Sequence, residues 1–243
     1  MASSTWRKLT KALARRFGYD VIRFHPESSD GAKLFAVLQY LHTDLIFDVG
    51  ANQGQYGSDL REYGYGGRIV SFEPLTSAHA LLIRRAASDA AWKIHPRSAI
   101  GDSEGEVTMN IAGNNVSSSV LPMLAQHANA APHSRYVGSE TAALTRLDTV
   151  APAYTAGAES IFLKIDTQGF EAAVLRGATQ LLRGCRAVQL EMSLTPLYEG
   201  QELWQYFLHD LTGLGFELWT VLPGFVEAST GRTLQMDAIF VRP

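Results

Sequence analysis

One cysteine, Cys185, stands among 243 residues, so no internal disulfide can form, which fits a reducing compartment. It lies between Gly184 and Arg186 with no histidine or second thiol near it in sequence, so it reads as structural and not as a nucleophile. No stretch approaches about 18 uninterrupted apolar residues, so no helix is expected to span a membrane. Residues 1–19 carry charge but lack the apolar core of a secretory leader, so none is expected and a cytoplasmic location is. A net charge of −3 offers no footprint for bulk nucleic acid, and none is expected as a partner. What remains is an ordinary globular composition, 46% hydrophobic and 19% charged, enough for one full-sized core.

The most informative run is Asp44-Leu-Ile-Phe-Asp48-Val-Gly50-Ala-Asn52-Gln-Gly54. A short apolar stretch reaches an acid, breaks into a glycine turn and enters a helix from about Gln55. A buried parallel strand feeding a glycine turn and a helix start is how α/β proteins shape a nucleotide pocket. The turn lacks the Gly-x-Gly-x-x-Gly of dinucleotide binders and the Gly-Lys-Ser/Thr of phosphate-binding loops. It also holds no lysine or arginine to meet a phosphate. An acid before such a turn suits a cationic or hydroxyl-rich nucleoside, with S-adenosylmethionine the leading candidate. A second apolar strand ends at Glu73, followed by Pro74, one strand–helix–strand unit after Asp48. That acid is placed to accept both ribose hydroxyl hydrogens. A third strand over 93–100 closes at Gly101-Asp102, where an acid could meet the adenine amino group.

The blocks Asp48–Gly54, Ser71-Phe-Glu-Pro74, Ala99-Ile-Gly-Asp102, Leu147-Asp148, Leu163-Lys-Ile-Asp-Thr-Gln-Gly-Phe-Glu171 and Asp237-Ala-Ile-Phe-Val241 resemble the FkbM family of S-adenosylmethionine-dependent methyltransferases. The resemblance covers residues 44–242. Its most specific element is Lys-Ile-Asp-x-x-Gly-x-Glu. It implies methyl transfer to oxygen, frequently on a sugar or polyketide hydroxyl of a glycolipid or natural product, without fixing the acceptor. Donor-binding candidates are Asp48, Gly50, Asn52, Gly54, Glu73, Pro74, Gly101, Asp102 and Asp166. The alternatives are a catalytically silent α/β nucleotide-binding protein and an N-methyltransferase. The Asn/Asp-Pro-Pro-Tyr motif of amine and base methylation is absent, because the fourth strand ends Asp166-Thr-Gln-Gly169.

Strands at 45–49, 69–73, 93–100, 161–166, 186–192, 215–221 and 236–242 alternate with helices at 56–63, 77–88, 171–182 and 202–214. That rhythm implies an α/β, Rossmann-like, doubly wound parallel sheet of seven strands. The link before the last strand is too short for a helical crossover, so that strand should return antiparallel. A further helix at 32–41 precedes the first strand, and the chain divides into a helical extension (1–43) and a methyltransferase domain (44–243). Residues 103–160 break the rhythm: after a strand-like Glu106–Ile111 they read as a long irregular acceptor lid, with 113–138 ordering on ligand binding.

A sugar hydroxyl is weakly acidic, so its methylation needs a general base or a metal. Asp166, Glu191 and Asp237 should converge at one edge of the sheet, where they could hold Mg²⁺ or a similar ion. In the alternative, Asp166, Glu191 or a lid histidine, His133 or His127, acts directly as base. The metal-free route is expected, because no histidine joins the carboxylates. Near the start of the chain, Trp6, Leu9, Leu13 and Phe17 fall at helical spacing among Arg7, Lys8, Lys11, Arg15 and Arg16. Packing of this helix on the domain or a partner subunit is the expectation. Peripheral contact of residues 5–17 with the inner face of a membrane is the alternative.

Overall fold

The computed structural model describes residues 2–243, with side chains from Trp6 onward except that of Arg7. After α1 (Ala2–Arg16) and α2 (Asp30–Tyr40) the chain alternates β1 (Leu45–Val49), α3 (Gln55–Glu62), β2 (Arg68–Phe72), α4 (Thr76–Ala86) and β3 (Trp92–Ile94). There follow β4 (Ser98–Ile100), β5 (Gly105–Ala112), α5 (Ala125–Ala130), β6 (Tyr136–Thr145) and α6 (Leu147–Val150). The last third holds β7 (Ile161–Ile165), α7 (Glu171–Arg176), α8 (Thr179–Gly184), β8 (Cys185–Ser193), α9 (Trp204–Gly213) and β9 (Glu217–Pro223). A small hairpin of β10 (Val226–Glu227) and β11 (Arg232–Thr233) leads into β12 (Gln235–Val241).

Seven strands form one sheet in the order β3-β2-β1-β7-β8-β12-β9. The pairs from β3 to β8 are parallel, and β12 runs antiparallel to both β8 and β9. Seven strands, mostly parallel with a reversed β12, match the architecture expected from the alternation. The side-chain period of two divides each strand between two cores. Leu45, Phe47 and Val49 of β1 join Leu163, Ile165, Val188, Leu190 and Phe240 on the face covered by α6 to α9. Ile46 and Phe162 face the other way, against Leu34, Val37, Leu38 and Leu60 of α2 and α3. Through Leu34, Val37 and Leu38, α2 therefore shares a core with the sheet, leaving α1 and the segment up to about residue 29 outside it. Ser29 starts α2, its hydroxyl accepting the N–H of Ala32.

Three expectations change. The strand expected over 93–100 is two strands. His95-Pro96 interrupts it, since proline has no N–H to continue a ladder. Ser98–Ile100 leaves the large sheet and pairs in parallel with β6. The interval 103–160 is therefore not an irregular lid. β4, β6 and β5 form a second, three-stranded sheet, in which β5 and β6 are an antiparallel pair joined through the 113–135 segment. The helix expected over 171–182 is broken at Gly177, between α7 and α8. A Cβ at Gly177 would collide with the carbonyl oxygen of Gly101, so the backbone runs directly against the turn after β4.

That contact makes a stability prediction. Gly177→Ala must push two backbones apart and should destabilise by about 1–3 kcal/mol, lowering Tm by roughly 2–12 °C for a domain of this size. Gly184→Ala, in a helix with open space around the new methyl, should leave Tm unchanged or raise it. Equal melting of wild type and Gly177→Ala would refute the close approach.

Candidate active site

The end of β1 sets the site. Gly50 has φ 76°, and a Cβ there would run into the carbonyl oxygen of Asp166 on the neighbouring strand end, so only glycine suits this turn. The N–H groups of Gly50 and Ala51 both donate to the Phe72 carbonyl, at 3.1 and 3.0 Å, which ties the turn to the end of β2. Asn52, with φ 48°, then presents its N–H to Glu73 Oε2 at 2.8 Å, while Leu75 N–H donates to Glu73 Oε1 at 2.8 Å. Glu73 is 5% exposed. Burial pushes its carboxyl up to about 7, against the pull of the Leu75 and Asn52 N–H groups.

These elements wall a cavity of about 310 Å³, within the ~300–1,000 Å³ of small-molecule sites. Its polar lining includes Asn52, Glu73, Ser98, Asp166 and Gln168, and its apolar lining Phe72, Leu75, Ala99, Ile100, Met109, Val116 and Val120. Asn115, Val116, Ser118 and Val120 come from the segment beyond β5, so that segment does cover the ligand edge. Ser119, fully buried, anchors it by donating to the Gln168 carbonyl at 2.7 Å. Asn52 Oδ1 is buried and accepts no hydrogen bond from the protein, an acceptor left for a ligand.

Of the expected donor-binding residues, Gly50, Asn52, Glu73, Pro74 and Asp166 line this cavity. Four others do not. Asp48 is fully buried beneath the turn, paired with Lys164 Nζ at 3.1 Å and accepting from Ser71 Oγ at 3.0 Å. The alternation of β1 points it into the sheet face, away from the ligand edge. Gly54 begins α3 and packs toward Leu82 and Trp92. Gly101 lies between Gly177 and the side chains of Leu144 and Phe170. Asp102 pairs with Arg176 at 2.9 Å near the surface. Because β4 has left the large sheet, Ser98–Ile100 lines the cavity in place of Gly101-Asp102.

The turn after β7 carries most of the remaining polar chemistry. Lys164 is buried. Burial lowers the pKa of its ammonium, but Asp48 and Asp166 more than offset this and hold it raised. Lys164 also donates to the Gly50 carbonyl at 3.2 Å, approaches Asp166 Oδ2 at 3.6 Å and lies over the Tyr56 ring. Gln168 adopts φ 55°, a left-handed conformation uncommon outside glycine that marks sites under constraint. Its amide donates to Asp166 Oδ1 at 2.9 Å and Glu191 Oε2 at 2.7 Å, and its oxygen accepts Tyr198 OH at 2.8 Å. Glu171 fixes this turn by accepting the N–H groups of Thr167 and Gly169. Burial pushes its carboxyl up to about 7, against those hydrogen bonds.

The expected carboxylate trio does not close on a metal. Among the described residues no group of three acids, histidines or cysteines has ion-binding geometry. Gln168 places an amide NH₂ between Asp166 and Glu191, where a cation would have to sit. Gln235 donates to the same Glu191 oxygen at 2.6 Å. Burial, with Asp166 and Asp237 adding to it, drives the Glu191 carboxyl well up, and Glu191 does not line the cavity. Asp237 lies in an adjoining cleft with Asp30, Tyr56 and Gln189. Burial first and Asp166 second push its carboxyl up to about 6. His133 is exposed outside the cavity. His127 is buried against Tyr198 and Phe225, and burial lowers its pKa to about 4. The sequence pattern gives Gln168, Tyr56 and Tyr198 no role in the site, and Lys164, an ion-pair candidate for Asp237, pairs with Asp48 instead. A lysine inside the apolar run Ile161–Ile165 was the available signal, since a buried ammonium needs an acid beside it.

Among solved structures, the fold is similar to a putative RNA methyltransferase from Pyrococcus horikoshii (11% identity, 87% of this chain and 82% of that one, TM-score 0.45). It is also similar to fibrillarin from Aeropyrum pernix with bound S-adenosylmethionine (13%, 82% and 66%, TM-score 0.46). A third is magnesium protoporphyrin IX methyltransferase from Synechocystis (11%, 99% and 96%, TM-score 0.47). No residue role rests on these likenesses. No curated protein matches the sequence. The methyltransferase FkbM domain matches residues 48–218, from Asp48 in β1 to the start of β9. With the glycine turn, the Glu73 wall and the Asp166 turn all inside that span, the chain belongs to the FkbM family of S-adenosylmethionine-dependent methyltransferases.

Proposed function

We propose that the chain transfers a methyl group from S-adenosylmethionine to a hydroxyl of a sugar in a glycolipid or natural product. The observation that carries this reading is one cavity lined by two carboxylates with different partners, Glu73 tied to backbone N–H groups and Asp166 tied to side chains. Glu73 has a free lone pair on each oxygen after accepting Asn52 and Leu75, which suits the two ribose hydroxyls. Asn52 Oδ1 is a further acceptor, and Leu75, Ala99, Ile100 and Val116 offer apolar walls to a flat base. Once bound, the donor supplies an electrophilic methyl carbon on a sulfonium centre.

Asp166 is the carboxylate suited to the acceptor. Its side chain is 37% exposed, so a hydroxyl can reach it. Lys164 and Gln168 hold it from behind at 3.6 and 2.9 Å. In this reading Asp166 orients the acceptor hydroxyl and takes its proton, while Val116, Val120 and Met109 keep water from the cavity. Alignment of the two reactants supplies a large share of the acceleration in such a displacement. Glu191, held by two glutamine amides, positions Gln168 and takes no proton from the acceptor.

Glu73 should bind the donor in a pH-dependent way. Its folded pKa of about 7 lies above the ordinary ~4.3 of a glutamate, so the unliganded protein favours the neutral form and loses stability as pH rises through that range. The ribose hydroxyls need the ionised form, so affinity for S-adenosylhomocysteine should rise as pH rises through about 7. Each lost hydrogen bond to a charged acceptor is worth ~1.5–3 kcal/mol, so Glu73→Gln should weaken binding at least tenfold at pH 8 and flatten the pH dependence. Unchanged affinity by calorimetry would sink the ribose assignment.

The acceptor chemistry is tested separately, with methyl-labelled donor and a panel of sugar-bearing glycolipids beside a panel of amines. Label should enter the sugars, and a chelator should leave turnover intact. Asp166→Asn should lower turnover roughly 10²–10⁴-fold while donor affinity survives. Transfer only to amines would overturn the hydroxyl reading, and full turnover in Asp166→Asn would remove Asp166 as the base.

A further inference from the structure

We propose that α1 is a docking helix for an anionic lipid surface. Of the two packings expected from sequence, on the domain or on a partner subunit, the first is not what the structure has. Trp6, Leu9, Leu13 and Phe17 are 74%, 61%, 61% and 71% exposed. At ~100° per residue Trp6, Leu9 and Leu13 fall in an arc of roughly 60°, with Lys8, Lys11 and Arg15 on the opposite side, Arg16 at the border and Phe17 just past the helix end. Arg7 belongs to the same basic set in sequence, but its side chain lies outside the described residues.

Charge selects the partner. Residues 1–25 hold six arginines and lysines against Asp20 alone, and Asp20 is taken by Arg15 at 3.1 Å. With a whole-chain charge of −3, that +5 leaves residues 26–243 at −8. A net positive charge is thus gathered beside a long exposed apolar stripe, the pattern of helices that lie in a membrane interface. A free helix of this length is marginal in water, so its apolar face calls for a cover.

Shape favours a fluid surface over a protein groove. Gly18, at φ 81°, ends the helix, with Tyr19 N–H donating to the Ala14 carbonyl at 3.0 Å. The exposed apolar side chains nevertheless continue past that end through Tyr19, Val21 and Ile22. A groove shaped for a helix would not accommodate this irregular continuation, whereas a bilayer interface has no fixed shape. Phe24, its ring 5.3 Å from that of Tyr63, joins the segment to the domain just before α2. The first residues of α2, Asp30 and Gly31, line the cleft that holds Asp237, so docking would bring the lipid surface near that cleft.

The test is co-sedimentation of the full chain with mixed phosphatidylcholine–phosphatidylglycerol vesicles and with pure phosphatidylcholine vesicles. The chain should sediment with the mixed vesicles only, and added salt should release it. Leu9→Ser with Leu13→Ser, and separately Lys8→Glu with Lys11→Glu, should each weaken binding at least tenfold. Both variants should keep wild-type affinity for S-adenosylhomocysteine, which separates lost docking from lost folding. Indifference to anionic lipid, or binding that survives both double substitutions, would overturn the proposal. So would velocity sedimentation showing that the apolar stripe instead joins two copies of the chain while vesicles are ignored.

Discussion

A buried ammonium at the centre of the sheet governs the rest of this structure. Lys164 stands in β7 directly opposite Asp48 of β1 and Gln189 of β8, and Asp48 stands opposite Ser71 of β2. Four adjacent strands therefore put one polar residue each at the same level of one face, all buried. They are joined by Ser71 Oγ to Asp48, by Asp48 to Lys164 and by Tyr56 OH to Gln189 at 2.9 Å, while Trp92 Nε1 donates to Ser71 at 2.9 Å. Removing one partner would leave an uncompensated charge in the core, at a cost of ~3–5 kcal/mol. The row is thus demanding of register, because a one-residue slip of any of these strands would turn its polar residue to the other face.

Everything at the ligand edge is built one step beyond that row. Lys164 reaches past Asp48 to the Gly50 carbonyl and toward Asp166, so the same ammonium ties the glycine turn to the carboxylate of the next strand end. Two residues further along β8 and β12, on the same face, lie Glu191 and Asp237, directly opposite each other. Three acids at this edge would repel, and the rise in the pKa of Glu191 and Asp237 records that repulsion on top of burial. The protein answers it with amides. Gln168 and Gln235 both donate to Glu191, and Gln168 bridges to Asp166. The left-handed backbone at Gln168 is held against its strain by Tyr198, by Ser119 and by the Glu171 carboxylate on the flanking N–H groups.

Several parts of this arrangement were readable in the residues alone. The run Leu45-Ile-Phe-Asp-Val-Gly names a buried parallel strand and its turn, because β-branched and aromatic residues with no polar alternation suit a strand covered on both faces. The turn-rich link before β12, with Pro223-Gly224 and Thr230-Gly231, foretold its antiparallel return, since such a link leaves no room for a crossover helix. Glu73 was placed by its distance from Asp48, one strand–helix–strand unit. Six blocks together carried the resemblance to the family, the Lys164–Glu171 stretch being the most specific of them.

What the sequence by itself determined, then, is the alternation that builds the large sheet with its reversed last strand, the two strand-end turns and the family. What only the tertiary structure decided is which acid faces which way. Asp48 and Glu73 look alike in sequence, each an acid at the end of an apolar strand. Asp48 is the fourth residue of β1 and turns into the sheet toward Lys164, whereas Glu73 is one residue past β2 and faces the cavity. The departure of β4 into a second sheet was equally out of reach, because its partner β6 lies more than 40 residues on in sequence. Gln168 passed for an ordinary loop glutamine until the fold brought Asp166, Glu191 and Tyr198 around it. Strand patterns are local and survive in the sequence. The choice of partner across strands is set by register and packing, and only the folded chain contains it.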